Sequence, residues 1–170
     1  NIYFPKLTCS EQLIFMGNLY DIPSDRCRAR AFELLDMLGL INKSKVCAKR
    51  LSGGMKRRLN IALALIHNPE ILILDEPEAG LDPQSRILVR NFIRSISEEK
   101  TIILTSHNMD EVDRLADRVA IMDYGKIMLI DTPYNLKNSV GEGDVLEIEI
   151  IEESADKTAS LVSDLKHEYN

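Results

Sequence analysis

The sequence predicts an α/β protein in which a helical half precedes a strand-and-helix half. Two observations carry this. Up to about residue 69 the apolar side chains recur at helical spacing. From Ile71 onward, short apolar runs rich in isoleucine occupy 71–74, 101–106, 118–123 and 126–130, and helical patterns separate the first three. Strand, helix, strand, helix, strand is the pattern of a parallel sheet with helical crossovers.

The elements follow in order. "LTCSEQLIFMGNLYDIP" predicts a helix: Thr8 and Glu11 have capping-box spacing, and Leu13, Phe15, Met16, Leu19 and Tyr20 supply an apolar face. Pro23 and Ser24 open a second helix, "SDRCRARAFELLDMLGL", with Ala31, Leu34, Leu35 and Leu38 on its apolar side. Gly39 is placed to stop it. A basic loop and "LSGG" lead into a third helix, "MKRRLNIALALIH". "ILIL" reads as a buried strand ended by Pro77, and "PQSRILVRNFIRSISEE" and "MDEVDRLAD" as the crossover helices. Tyr124–Gly125 forms a hairpin turn. A strand over "DVLEIEII" and an amphipathic helix from about Glu152 complete the chain.

The 170 residues suit one domain, and 45% apolar content is enough for a core. A net charge of −6 argues against a general nucleic-acid binder. Residues 43–58 nevertheless carry seven basic residues and no acid, and 141–156 seven acids and no base. Cys9, Cys27 and Cys47 show no metal-ligand spacing and read as free thiols of a reducing cytosol. No apolar run approaches the roughly 20 residues that span a bilayer, and no stretch has signal-peptide form. The first residue is Asn1 rather than methionine, so a longer protein upstream is expected.

The chemistry concentrates in Leu51–Asp82. Ser52, Gly53 and Gly54 fall at a helix N-terminus, where unpaired amides and the helix dipole favour an anion. An ordinary serine cap explains the same residues. Asp75 and Glu76 end a strand at the sheet edge where α/β proteins bind ligands. The aspartate suits Mg²⁺ and the glutamate an attacking water, although two solvated loop acids would look alike. Asp82 before Pro83 is a good N-cap in its own right. His107 ends the second strand at the same edge as Asp75 and Glu76. His67 and His167 have no such placement.

Taken in this order, the residues resemble the nucleotide-binding domain of an ABC ATPase, with its P-loop NTPase-like parallel sheet and α-helical signature subdomain. "LSGGMKRR" is similar to the signature motif, "ILILDEP" to Walker B, "AGLD" to the D-loop and "TSH" to the switch histidine. The closest flavour is that of ATPase subunits of ABC-2-type exporters. The resemblance divides the chain into a partial nucleotide-binding domain (1–140) and an acidic C-terminal extension (141–170) with a short α+β tail. Within the first, about 3–69 is the helical subdomain with the signature helix, and 70–140 the Walker B and switch-histidine part.

The resemblance implies roles for particular residues. Ser52, Gly53 and Gly54 contact the γ-phosphate of ATP held by an opposite subunit, and Asp82 acts across that interface. Asp75 serves Mg²⁺, Glu76 is the catalytic base and His107 senses the γ-phosphate. It also implies ATP and Mg²⁺ as cofactors, a second nucleotide-binding domain and a transmembrane permease as partners, and a cytoplasmic site at the inner membrane face.

Two departures stand out. No G-x-x-x-x-G-K-[ST] phosphate loop occurs in the sequence, and the glutamine loop would also lie upstream. The chain alone is therefore expected not to hydrolyse ATP, and strands that should be central are expected to expose apolar faces. Glu78 stands where the family usually has threonine, adding a third acid near the metal site with an expectation of weaker nucleotide binding. An ATPase of an exporter, a non-transport ABC ATPase and an inactive module that offers only its signature face all remain open.

Overall fold

The computed structural model describes residues 3–140. The strand expected at 144–151 and the helix from Glu152 lie outside the described residues. Helix α1 spans Cys9–Leu19, and its start is the capping box read from the sequence. The Glu11 amide donates to Thr8 Oγ1, and the Thr8 amide to Glu11 Oε2. Helix α2 spans Ser24–Met37 and ends on Gly39, whose φ of +63° is the left-handed turn a side chain disfavours. Two 3₁₀ turns, Ile41–Lys43 and Ala48–Arg50, carry the basic loop to α3, Gly53–Leu65.

The three helices pack Leu13, Leu34, Leu35, Leu38, Leu59 and Leu65 into one core. Each such side chain contributes about 1.5–3 kcal/mol on burial. Gln12 is buried among them, with its amide satisfied. The Phe4 amide donates to its Oε1 (2.7 Å), and its Nε2 donates to the Leu7 carbonyl (3.3 Å). These bonds tie the segment before α1 to the helix.

Strand β1 (Ile71–Asp75) runs into α4 (Pro83–Ser97), then β2 (Thr101–Thr105) and α5 (Met109–Leu115). β1 and β2 pair in parallel, with Ile71 opposite Thr101 and Asp75 opposite Thr105. β1 is a buried strand on one face only, and its other face shows the exposed apolar side chains expected of a central strand that lacks its neighbours. Leu72 and Leu74 enter the core beside Val89, Phe92 and Ile93 of α4, whereas Ile71, Ile73 and Ile103 are more than half exposed. Strand side chains alternate between faces, and among the described residues the second one is left largely open.

Strand β3 (Val119–Asp123) is more limited than the pattern suggested. Among the described residues it pairs only with β4 (Lys126–Asp131), antiparallel, and does not extend the parallel sheet. The hairpin turn is Tyr124–Gly125 as read, with both φ angles positive (+44° and +73°), as a tight two-residue connection requires. The chain divides into one compact unit through Tyr134 and a second from Asn135; α6 spans Pro133–Val140. No helix of the described residues is long and apolar enough to cross a membrane.

Candidate functional site

The parallel register delivers the first group of side chains. Asp75 and Thr105 end their strands side by side, and Thr105 Oγ1 donates to Asp75 Oδ1 at 2.6 Å. The next residue, Glu76, turns left-handed with φ +49°, a conformation that costs about 1 kcal/mol outside glycine. Its amide, which donates to the Thr105 carbonyl (3.1 Å) and hydroxyl (3.2 Å), holds that turn. The Glu76 carboxylate then meets His107 Nδ1 at 2.7 Å. The hydrogen bond to Glu76, and its charge, raise the His107 pKa above the ordinary imidazole value. Asp75, Glu76 and His107, three of the residues singled out in the sequence, therefore stand together.

The second group forms around the start of α3. Ser52 caps the helix by accepting from the Met55 amide at 3.2 Å, which leaves its hydroxyl hydrogen able to donate elsewhere. A Cβ built on Gly53 would meet nothing within 4 Å, so the backbone there is open to close approach. Gly54 instead faces the chain itself, its Cβ direction lying 3.6 Å from Asp82 Oδ2 and 3.4 Å from Ser85 Oγ. Asp82 is the N-cap of α4, accepting from the Ser85 amide at 2.9 Å. Hydrogen bonds from Ser85 hold its carboxyl below the usual range. Ser52–Gly54 and Asp82 thus adjoin one another.

The three basic residues after "LSGG" take different settings, and the charge of Arg58 reaches Asp82. Arg58 is buried and donates to the Leu38 carbonyl at 2.9 Å, and Lys56 lies 5.7 Å over the Tyr3 ring. Arg57 Nη2 donates to the carbonyls of Asp75 and Glu76, linking α3 to the turn that carries the acids. Glu78 requires a correction. It is 3% exposed and accepts from Arg90 Nε (2.8 Å) and Nη2 (2.5 Å), so it is the inner half of an ion pair rather than a third open acid. Thr105 and Arg90 were not singled out in the sequence, and Arg57 only as one of the basic residues after "LSGG". Their roles depend on partners 12 to 30 residues away.

Among the described residues no group of three or more His, Cys, Asp or Glu side chains could hold a metal by itself. One carboxylate with phosphate oxygens and water is, however, an ordinary Mg²⁺ environment, and the exposed Asp75 fits it. The open Gly53 backbone at the head of a 13-residue helix fits a phosphate.

The fold is that of a P-loop-type ATPase domain, as the match of residues 28–113 to the family model described as "AAA domain, putative AbiEii toxin, Type IV TA system" shows. Over 148 residues the chain is 40% identical to the linearmycin resistance ATP-binding protein LnrL of Bacillus subtilis, covering 86% of this chain and 48% of that protein. It is 43% identical over 136 residues to the daunorubicin/doxorubicin resistance ATP-binding protein DrrA of Streptomyces peucetius, with 79% and 41% covered. It is 40% identical over 145 residues to the Nod factor export ATP-binding protein I of Paraburkholderia xenovorans, with 85% and 48% covered. The chain belongs to the family of ABC transporter ATP-binding proteins. It spans about half the length of these curated relatives. The family works with ATP and Mg²⁺.

Proposed function

We propose that this chain is part of an ATP-hydrolysing subunit that drives export through a separate membrane permease at the inner face of the membrane. We further propose that residues 1–170 alone do not turn ATP over. The observation that carries this reading is the convergence of Asp75, Glu76 and His107 at one strand edge, in a sequence without a phosphate loop. In this reading Asp75 binds Mg²⁺, which neutralises phosphate charge. Glu76 accepts the proton of the attacking water, and His107 holds Glu76 and reaches the terminal phosphate. The exposed face of Ile71, Ile73 and Ile103 is where further chain would pack against the sheet.

Ser52, Gly53, Gly54 and Asp82 form the other half-site in this reading, closing over ATP held by a second nucleotide-binding domain. A second reading, that of an inactive interaction module, draws on the same residues, because that half-site needs no phosphate loop of its own. One experiment separates the two. ATPase activity is measured for the purified 170-residue chain and its Glu76→Gln variant, with and without a full-length relative such as LnrL. The expected result is no activity of the chain alone above the variant. ATP-dependent pairing that raises only the relative's turnover favours the module. Activity of the lone chain that disappears in Glu76→Gln overturns the claim that it cannot work by itself.

A further inference from the structure

Glu111 is 1% exposed at the first turn of α5, an unusual setting for a carboxylate that no proposed chemical step uses. Ser106 Oγ donates to its Oε2 at 2.6 Å and accepts from the Asn108 amide at 3.0 Å, while the Glu111 amide donates to the Asn108 carbonyl at 3.1 Å. The turn 106–108 is thus closed onto Glu111 from both sides of His107. Glu111 Oε1 is buried without a hydrogen bond of ordinary geometry. Burial pushes the carboxyl pKa up, and the Glu78 and Glu76 charges add to this; the Ser106 hydroxyl draws it down. The Glu78 side chain is in turn clamped by Arg90 of α4, whose guanidinium also feels the Glu111 charge.

His107 itself is 81% exposed. Its ring meets only Glu76 among the hydrogen bonds and ring contacts described, so the set of its loop decides where it lies. We propose that Glu111 is a positioning residue: through Ser106 its buried carboxylate holds the 106–108 turn that carries His107, and thereby sets the Glu76–His107 pair. This rests on the proposed function only in taking that pair as catalytic. The brace is tested without nucleotide, so either idea can fail alone.

The test follows the imidazole resonances of the 170-residue chain by NMR through the neutral pH range, with His107 assigned by its loss in His107→Ala. The groups that face His107 are Glu76 and, more distantly, Glu111. Glu111→Ala and Ser106→Ala, the second without any change of charge, are each expected to lower the His107 midpoint toward the ordinary value of 6.5. In a Glu76→Gln background Ser106→Ala should not move it, because the effect passes through the pair, and Glu111→Ala should lower it only by the smaller share of its own charge. Val89→Ala, which opens the core of α4, should leave the midpoint high. An unchanged midpoint in Ser106→Ala overturns the proposal. So does an equal drop of Ser106→Ala in the Glu76→Gln background, which means the effect does not pass through the pair, or an equal drop in Val89→Ala, which means general loosening. Ser106→Ala decides the matter if Glu111→Ala does not fold.

Discussion

Replacing Arg90 by alanine should destabilise the protein by about 3 kcal/mol, because it leaves a buried carboxylate alone. Glu78 is 3% exposed and takes both of its strong bonds from Arg90, at 2.8 and 2.5 Å. Removing one partner of such a pair costs about 3–5 kcal/mol. Arg86 Nε, already 3.9 Å from the same carboxylate, can shift inward and offset part of this, which places the expectation at the lower end. With a urea dependence of about 2 kcal/mol per molar, the unfolding midpoint should fall by about 1.5 M. The double variant Glu78→Thr, Arg90→Ala removes the stranded charge and installs the residue usual in the family. It should recover most of the loss, about 2 kcal/mol. Urea unfolding of the four proteins measures the whole cycle. A midpoint drop under about 0.5 M for Arg90→Ala, or a double variant no better than the single one, would show that Glu78 is not held as described.

Gly39→Ala places a side chain at φ +63°, with its Cβ 3.0 Å from Leu88 Cδ1 and 3.1 Å from Arg58 Nη1. It should cost about 1–2 kcal/mol and lower the melting temperature by several degrees in a thermal scan. Gly53→Ala meets no atom within 4 Å and should leave stability unchanged or raise it by up to about 1 kcal/mol. The same variant should weaken ATP-dependent pairing with a full-length relative, and unimpaired pairing would remove Gly53 from the site. His107→Ala should destabilise the protein below about pH 6.5, where His107 is charged in both folded and unfolded chains. Because Glu76 raises the folded pKa, that contribution is lost as pH rises through the folded value, so the two proteins should converge on the alkaline side. A difference that grows with pH contradicts the Glu76–His107 pairing.

Much of this molecule was legible wherever the deciding interaction is short in sequence. The Thr8–Glu11 box, the stop at Gly39, the Ser52 and Asp82 caps and the Tyr124–Gly125 turn each depend on a few consecutive residues. From "ILIL" alone the alternation is not legible, because a run of four apolar residues reads the same whether one face or both are covered; the exposed apolar face is legible only through the lack of a phosphate loop. Glu78 follows Asp75 and Glu76 so closely that it looked like another open acid. The chain turns its carboxylate inward to an arginine twelve residues later. Arg57 and Arg58 are neighbours of the same type, yet helical geometry sends one to the acids' carbonyls and buries the other under Leu38.

By itself, then, the sequence determined the order of helices and strands, the caps that start and stop them, the motifs at Ser52–Gly54, Asp75–Glu76, Asp82 and His107, and the lack of a phosphate loop. These are set by local dihedral preference, apolar period and residue chemistry. Only the tertiary structure decided that Glu76 and His107, 31 residues apart, touch at 2.7 Å, and that Glu78 closes on Arg90. The pairing of β1 with β2 places Thr105 opposite Asp75. Such register is a property of packed strands, and no single segment contains it.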